Sequence, residues 1–449
     1  MKYNSIIIGF GKGGKTLVAD LAKSGEKVAL IEKSAKMYGG TCINVGCLPS
    51  KSLVKNAELA VLKDGDFNIK ADFYKKAVEE KNNMTAMLRK KNFDKLDSLE
   101  NIDIINGEAA FIDQHTVCVS TDDNEERLEG EKIFINTGAY PFIPPIDGIE
   151  GNPNVFTSES LMDLEDLPRR LTIVGGGYMG LEFASMYASF GSEVTVIDSS
   201  EEFLKREDTD IAETIREILE NKGIKIISGA RAKNVEADTL YYEKEDDRFS
   251  IEQTKILLAT GRRPNIETLN LEKANVEVTD RGLIKVDKHY KTTADNIWAM
   301  GDVASSLQFT YISLDDYRIV RFAVLEKGEY NLEKRKNVPY SVFTTPSFSR
   351  VGINEKEAKE QGIEYKLFKI QAAAIPKARV LDSPEGILKA LVDPSTGKIL
   401  GAMLLCEESY EMINTVKLAM DLEAEYTVLR DNIYTHPTMT EALNDLFKN

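Results

Sequence analysis

Two short apolar runs, each leading at once into a glycine-rich turn, constrain this chain more than any other feature. Ser5 to Ile8 opens into Gly9-Phe10-Gly11-Lys12-Gly13-Gly14, a helix-like stretch from Lys15 to Ser24 and a second apolar run, Val28 to Ile31. The same order returns at Leu171 to Val174, Gly175 to Gly180, Leu181 to Phe190 and Val194 to Ile197. Strand, tight glycine turn, helix and strand make a βαβ unit whose helix N-terminus can receive a pyrophosphate. Carrying it twice, the chain is expected to bind two dinucleotides.

Each turn is followed by an acidic residue where the second strand ends. Glu32 and Asp198 sit about 20 residues after their glycines, where a carboxylate accepts hydrogen bonds from ribose hydroxyls. No arginine follows Asp198 before Arg206, and a carboxylate there repels a 2′-phosphate, so NADH is expected over NADPH.

With 449 residues the chain exceeds what a single core usually holds, and two or three domains are expected. A charged helical stretch, Ala71 to Leu96, and strand-like segments from Ile104 through Ile135 extend the first unit. After Asp302 the periodicity turns irregular. From about Lys336 a separate block begins, with Val342 and Phe343 early and an apolar-patterned helix near Met412 to Leu422.

A net charge of −16 argues against nucleic acid or an anionic membrane surface as partner. No apolar run is long enough to span a bilayer and no signal-peptide core follows Met1, so a cytoplasmic protein is expected. Four cysteines are too few for a disulfide-stapled scaffold of this length, and the three histidines are far apart. No metal site is expected, and any disulfide is expected to be catalytic.

The thiols that matter lie in Gly39-Gly40-Thr41-Cys42-Ile43-Asn44-Val45-Gly46-Cys47-Leu48-Pro49-Ser50-Lys51. Residues five apart on a regular helix diverge by about 140°, so a bridging pair needs the irregular backbone that Gly46 permits. Pro49 suits the first turn of a helix, whose N-terminal dipole lowers a thiol pKa.

This string resembles the pyridine nucleotide-disulfide oxidoreductases, the family of glutathione reductase, dihydrolipoamide dehydrogenase and mercuric reductase. The resemblance runs the whole length, through Thr137-Gly138, Ala259-Thr260-Gly261-Arg262-Arg263-Pro264, Gly301-Asp302 and His436-Pro437-Thr438-Met439-Thr440-Glu441. It implies an α/β chain of two Rossmann-like domains and a C-terminal α+β dimerisation domain. The expected division is 1–147 with 266–335 for FAD, 148–265 for NAD and 336–449 for dimerisation.

For FAD it implies Gly9, Gly11, Gly14, Glu32, Gly40, Thr41, Thr137, Gly138 and Gly301, with Asp302 at the ribityl chain. For the nicotinamide cofactor it implies Gly175, Gly177, Gly180, Asp198 and Gly261, with Tyr178 covering the flavin until nicotinamide displaces it. Lys51 and Glu182 match an ion pair beside the flavin. His436, oriented by Glu441, would come from the partner of a homodimer and serve as acid-base. Electrons would pass from NADH through FAD to the Cys42-Cys47 disulfide and on to substrate, with Cys42 attacking and Cys47 facing flavin. Cys118, Cys406, His115 and His289 match no functional position, and Trp298 reads as core.

The chain ends Asn444-Asp445-Leu446-Phe447-Lys448-Asn449 without the second cysteine pair of mercuric reductases. Four segments, Met37 to Gly40, Leu307 to Arg318, Ala374 to Arg379 and Met412 to Asn414, resemble the bacterial reactive-chlorine-resistance flavoproteins, also described as hypothiocyanous acid reductases. That resemblance implies a small oxidant as substrate and a low-pKa Cys42 as nucleophile. A dihydrolipoamide dehydrogenase, a mercuric or copper(II) reductase and a flavin-bound redox sensor are the alternatives.

Overall fold

Ile6, Ile7 and Ile8 give the first strand a run of β-branched side chains that is buried on both faces, as a central parallel strand requires. The computed structural model describes residues 1–449 except 64, 122–123, 327 and 449. In it Lys2–Ile8 pairs in parallel with Val28–Glu32 on one side and with Glu125–Ile135 on the other, the register placing Ile8 opposite Ile31 and Ile135. Ile102–Asn106 and Ile297–Ala299 extend the parallel part, and Thr116–Ser120 and Glu108–Phe111 add an antiparallel end.

The second βαβ unit builds its own five-stranded parallel sheet, with Arg170–Val174 at its centre between Glu193–Ile197 and Lys255–Leu258. Both glycine turns are forced by close backbone approach. Gly9 has φ +104° and an added Cβ would lie 2.3 Å from the Asn136 carbonyl oxygen; Gly175 has φ +116° and would meet the Ala259 oxygen at 2.4 Å. Only glycine fits there.

Helix Lys12–Lys23 follows the first turn and buries Leu17, Val18 and Leu21, each such side chain contributing roughly 1.5–3 kcal/mol. The irregular region after Asp302 contains a helix that the sequence reading missed, Thr310–Arg321. Its polar side chains hid the pattern because they are used internally: Tyr317 donates to Asp20 and Arg321 Nε lies 2.9 Å from the same carboxylate. The charged helix runs from Phe67 to Asp97, four residues earlier than read, because Asp66 caps the amides of Asn68 and Ile69.

The C-terminal block is an antiparallel five-stranded sheet. Phe348–Gly352 lies between Tyr340–Val342 and Ile399–Leu405, and Ile387–Val392 and Lys366–Gln371 complete it. Helix Ser409–Asp421 buries Met412, Ile413 and Val416 against it. No described helix is long and apolar enough to cross a membrane.

Candidate active site

Cys42 and Cys47 occupy different helices. Cys42 is the second residue of the single turn Thr41–Asn44, and Cys47 is the first of Cys47–Val61. Gly46, at φ −128° and ψ −117°, breaks the chain between them. The Asn44 amide ties the first turn down by donating to the carbonyls of Tyr38 at 3.0 Å and Gly40 at 2.9 Å. Both thiols are free.

The pair is polarised. Cys42 donates its hydrogen bond to Cys47, which lowers Cys47 to about 6; Thr310 and Lys51 push the same way, against burial. Cys42, as donor to Cys47 and partly buried, is held well above the ordinary thiol range. This corrects the expectation of a low-pKa Cys42: in the resting dithiol the thiolate belongs to Cys47, because Cys47 carries the helix N-terminus and accepts the bond. Titrating the reduced enzyme should therefore show a thiolate, followed by ultraviolet absorbance, that appears as pH rises through about 6. A single midpoint above 8 would contradict the assignment.

Lys51, one turn along from Cys47, makes a 2.8 Å ion pair with Glu182 from helix Tyr178–Phe190. The other Glu182 oxygen accepts the Phe343 backbone N–H at 2.8 Å, and the Lys51 ammonium stands 4.5 Å from the Phe343 ring centre. Three parts of the chain thus meet beside the thiols.

A cleft of about 540 Å³ runs from the first glycine turn to the thiols and is lined by Gly9, Gly11, Glu32, Gly40, Thr41 and Asp302 among others. Gly138 and Thr137 line it too, and the Thr137 hydroxyl is buried with no hydrogen-bond partner within the protein. Glu32 accepts from the amides of Phe10 at 3.0 Å and Ser34 at 3.2 Å, and burial raises its pKa. Burial likewise pushes Asp302 up to about 6. A partnerless hydroxyl, half-buried carboxylates and an uncapped helix N-terminus at Gly11 are the donor and acceptor set that an FAD molecule needs, and they fit it. Gly301 packs behind this wall, its amide donating to Asp316 at 2.8 Å.

In the second unit Gly177 caps helix Tyr178–Phe190 without a side-chain bond, and Gly180 packs on the Gly175 carbonyl. Asp198 directly follows the strand Glu193–Ile197, accepts from the Ser200 amide at 3.2 Å and faces Gly176. Tyr178 stacks on Tyr340 at 5.4 Å, and both hydroxyls donate to buried Glu207. Tyr178, Gly177 and Gly261 line a second, larger cleft that also reaches Cys42 and Cys47.

Residues 3–316 match the family described as pyridine nucleotide-disulphide oxidoreductase, and residues 338–447 match its dimerisation domain. The chain belongs to this family. It is 49% identical over 446 residues, 99% of each chain, to the probable pyridine nucleotide-disulfide oxidoreductase RclA of Escherichia coli. It is 32% identical to a mercuric reductase of Staphylococcus aureus, covering 98% of this chain and 81% of that one. A dihydrolipoyl dehydrogenase of Geobacillus stearothermophilus is 30% identical, covering 97% and 94%. A solved structure, the Cu(II) complex of HOCl-induced flavoprotein disulfide reductase RclA from Escherichia coli, superposes with a TM-score of 0.94 over 100% of this chain and 99% of that one.

The protein is therefore an α/β flavoprotein disulfide reductase, an oxidoreductase acting on sulfur that uses a flavin and a pyridine nucleotide. Two residues beside the thiols and the glycine turn were passed over by sequence reasoning. Thr310 starts the missed helix and puts its hydroxyl 3.5 Å from the Cys47 sulfur. Asn136 joins the glycine turn to the sheet, accepting from Gly14 N–H at 2.9 Å and donating to the Met300 carbonyl at 2.7 Å. Its place directly before Thr137-Gly138, at the end of an apolar strand, was the available signal.

His436 is 71% exposed at its side chain, with Nδ1 2.9 Å from Glu441 and Nε2 left open. Glu441 also accepts the Thr438 amide at 3.0 Å, and its pKa is lowered chiefly by the bond with His436. Neither residue lines the clefts that carry the thiols. Cys406 is buried against Met412, Cys118 lies in the strand Thr116–Ser120, and Trp298 stacks on Phe134 at 5.3 Å. His115 faces the Gly130 carbonyl at 3.4 Å, and His289 is half-buried with its buried Nδ1 unpartnered. Asp208, Asp210 and Glu355 converge as carboxylates do around a cation, and the buried Lys389 ammonium fills that place, at 2.8, 2.8 and 2.5 Å.

Proposed function

We propose that this flavoprotein works as a cytoplasmic homodimer that uses NADH to reduce hypothiocyanous acid in oxidant defence. The observation that carries the reading is that Cys42 and Cys47 line both clefts at once, so the dithiol can be recharged from one side and discharged from the other. Gly9, Gly11, Gly14, Glu32 and Asp302 would hold FAD, which when bound supplies the two-electron link between nicotinamide and disulfide.

Discharge begins when Cys42 passes its proton along the hydrogen bond to the Cys47 thiolate, and the Cys42 thiolate so formed attacks the sulfur of hypothiocyanous acid. An S–S bond forms, the S–O bond breaks, and the leaving hydroxide takes a proton to become water. Cys47 then attacks the Cys42 sulfur, closing the disulfide and releasing thiocyanate. One NADH and one hypothiocyanous acid give NAD⁺, thiocyanate and water. His436 of the partner subunit would manage the proton at Cys42. Exposed Leu418, Leu422, Val428 and Ile433, in the stretch leading to His436, support a dimer that covers them. Relatedness to the HOCl-induced RclA supports oxidant defence.

Steady-state NADH oxidation against hypothiocyanous acid, glutathione disulfide, lipoamide and mercuric ion tests the substrate. Asp198 sets a further expectation: kcat/KM for NADH should exceed that for NADPH by about tenfold or more. Equal values would show that Asp198 does not face the adenosine ribose.

The Cu(II) complex of RclA favours a second reading, copper(II) reduction by the same dithiol. Two Cu(II) ions would take one electron each as the dithiol becomes disulfide and loses two protons. NADH oxidation driven by Cu(II) alone, with Cu(I) trapped by a chelator, separates the two.

A further inference from the structure

Tyr178 is held from outside its own helix. It is the first residue of Tyr178–Phe190, directly after the second glycine turn, and it lines the larger cleft together with Gly177, Gly261 and both thiols. Its hydroxyl donates to Oε1 of Glu207, and the hydroxyl of Tyr340, from the C-terminal block, donates to the same oxygen at 2.5 Å. The two rings stack with their centres 5.4 Å apart. Arg350 lies beside Tyr340 in the register of the strand pair and stands 3.4 Å from the other Glu207 oxygen. Glu207 itself is fully buried.

Glu207 cannot follow a tyrosine that moves. The Arg206 carbonyl before it accepts from Asn354 at 2.9 Å and from Arg350 at 3.3 Å. Asp208 after it accepts the amides of Glu355 at 3.3 Å and Lys356 at 3.1 Å, and pairs with the buried Lys389 at 2.8 Å. The C-terminal block thus fixes the carboxylate. Of the two hydroxyl donors, Tyr340 belongs to that block and Tyr178 does not. Burial first, and then the Glu207 charge, holds both phenols above the ordinary tyrosine range, so both stay protonated as donors.

We propose that Glu207 and Tyr340 are the positioning residues of Tyr178: Glu207 latches its ring in the wall of the larger cleft, and Tyr340, on the same carboxylate oxygen, keeps Glu207 satisfied when the ring swings out. The inference rests on NADH being the electron donor and on its nicotinamide ring entering between Gly177 and the thiols. A ring on that path must shift Tyr178. Freeing Tyr178 takes one hydrogen bond from a buried carboxylate, a loss that is severe when no other donor remains. With Tyr340 and Arg350 in place, Glu207 keeps one hydroxyl and its ion pair, so the latch opens at the cost of a single bond.

The test measures binding to the oxidised, FAD-loaded enzyme by calorimetry, with no oxidant and no turnover, so its failure would leave the hypothiocyanous acid assignment standing. Two probes are compared: tetrahydro-NAD, which carries a reduced ring but transfers no hydride, and ADP-ribose, which stops short of the ring. Phenylalanine keeps each ring and its stacking and removes only the hydroxyl. Tyr178→Phe should bind tetrahydro-NAD about fivefold tighter, because no bond to Glu207 has to break. Tyr340→Phe should bind it about tenfold more weakly, because Tyr178 is then the last hydroxyl on Glu207. ADP-ribose should stay within about twofold of the parent in both, and Tyr340→Phe should lose its effect when added to Tyr178→Phe. Equal changes for both probes, shifts of the same sign or none in the two single variants, or a Tyr340→Phe effect that persists in the double variant would overturn the proposal and leave the pair as packing. A parent enzyme that binds neither probe would instead defeat the NADH reading, and the latch with it.

Discussion

Cys42→Ser is expected to lower NADH-driven turnover by at least about a thousandfold while leaving FAD stoichiometrically bound, and Cys47→Ser to do the same. Neither side chain belongs to the glycine turn or to the half-buried carboxylates fitted for the cofactor, and serine is nearly isosteric with cysteine. Binding therefore survives while the dithiol cycle loses one of its two sulfurs. The variants should differ in colour. Cys42→Ser keeps Cys47, whose sulfur has Thr310 at 3.5 Å and the Lys51 charge nearby, so it retains a thiolate able to give a long-wavelength band with oxidised flavin. A serine hydroxyl at position 42 can still donate to it. Cys47→Ser leaves only Cys42, and the band should vanish. The reverse colour pattern would exchange the roles of the two thiols, and substantial turnover in either variant would remove the disulfide from the cycle.

The βαβ units were legible because three independent requirements coincide in a short stretch: an apolar strand, glycines where a Cβ would strike backbone, and a carboxylate closing the next strand. Gly9 and Gly175 show why sequence suffices there, since each faces a carbonyl oxygen at a distance no side chain tolerates. The helix Thr310–Arg321 was illegible for the opposite reason. Its stretch shows no regular apolar period, yet the charged Asp316 within it is fully buried, accepting the Gly301 amide and pairing with Arg335 at 2.5 Å. Partners that convert a polar residue into core come from distant sequence, and local periodicity cannot register them. The charge state of the thiols failed likewise. Pro49 announced a helix start, but which sulfur begins the helix and which donates the hydrogen bond is a matter of backbone geometry around Gly46.

Hypothiocyanous acid should be reduced with a kcat/KM at least about a hundredfold above that for glutathione disulfide. Glutathione disulfide carries several carboxylates, and a productive site must offer them cations that are free to bind. The larger cleft does contain cations, which sequence reading did not foresee, but the protein already uses several of them. Arg335 is bound to Asp315 and Asp316, Arg318 lies 3.6 Å from Asp315, and Lys417 is paired with Asp421. Recruiting them would break pairs, and for the largely buried Arg335 it would strand Asp316 without its charge partner, a cost of several kcal/mol. Hypothiocyanous acid asks for none of this. It is small, uncharged and electrophilic at sulfur, so a reachable Cys42 that can pass its proton to Cys47, with a proton source for the leaving group, suffices. The comparison is made with one enzyme preparation, NADH as donor and both oxidants at several concentrations below saturation. A value for glutathione disulfide equal to or above that for hypothiocyanous acid would mean that the cleft cations are available after all, and would return the enzyme to the general disulfide reductases.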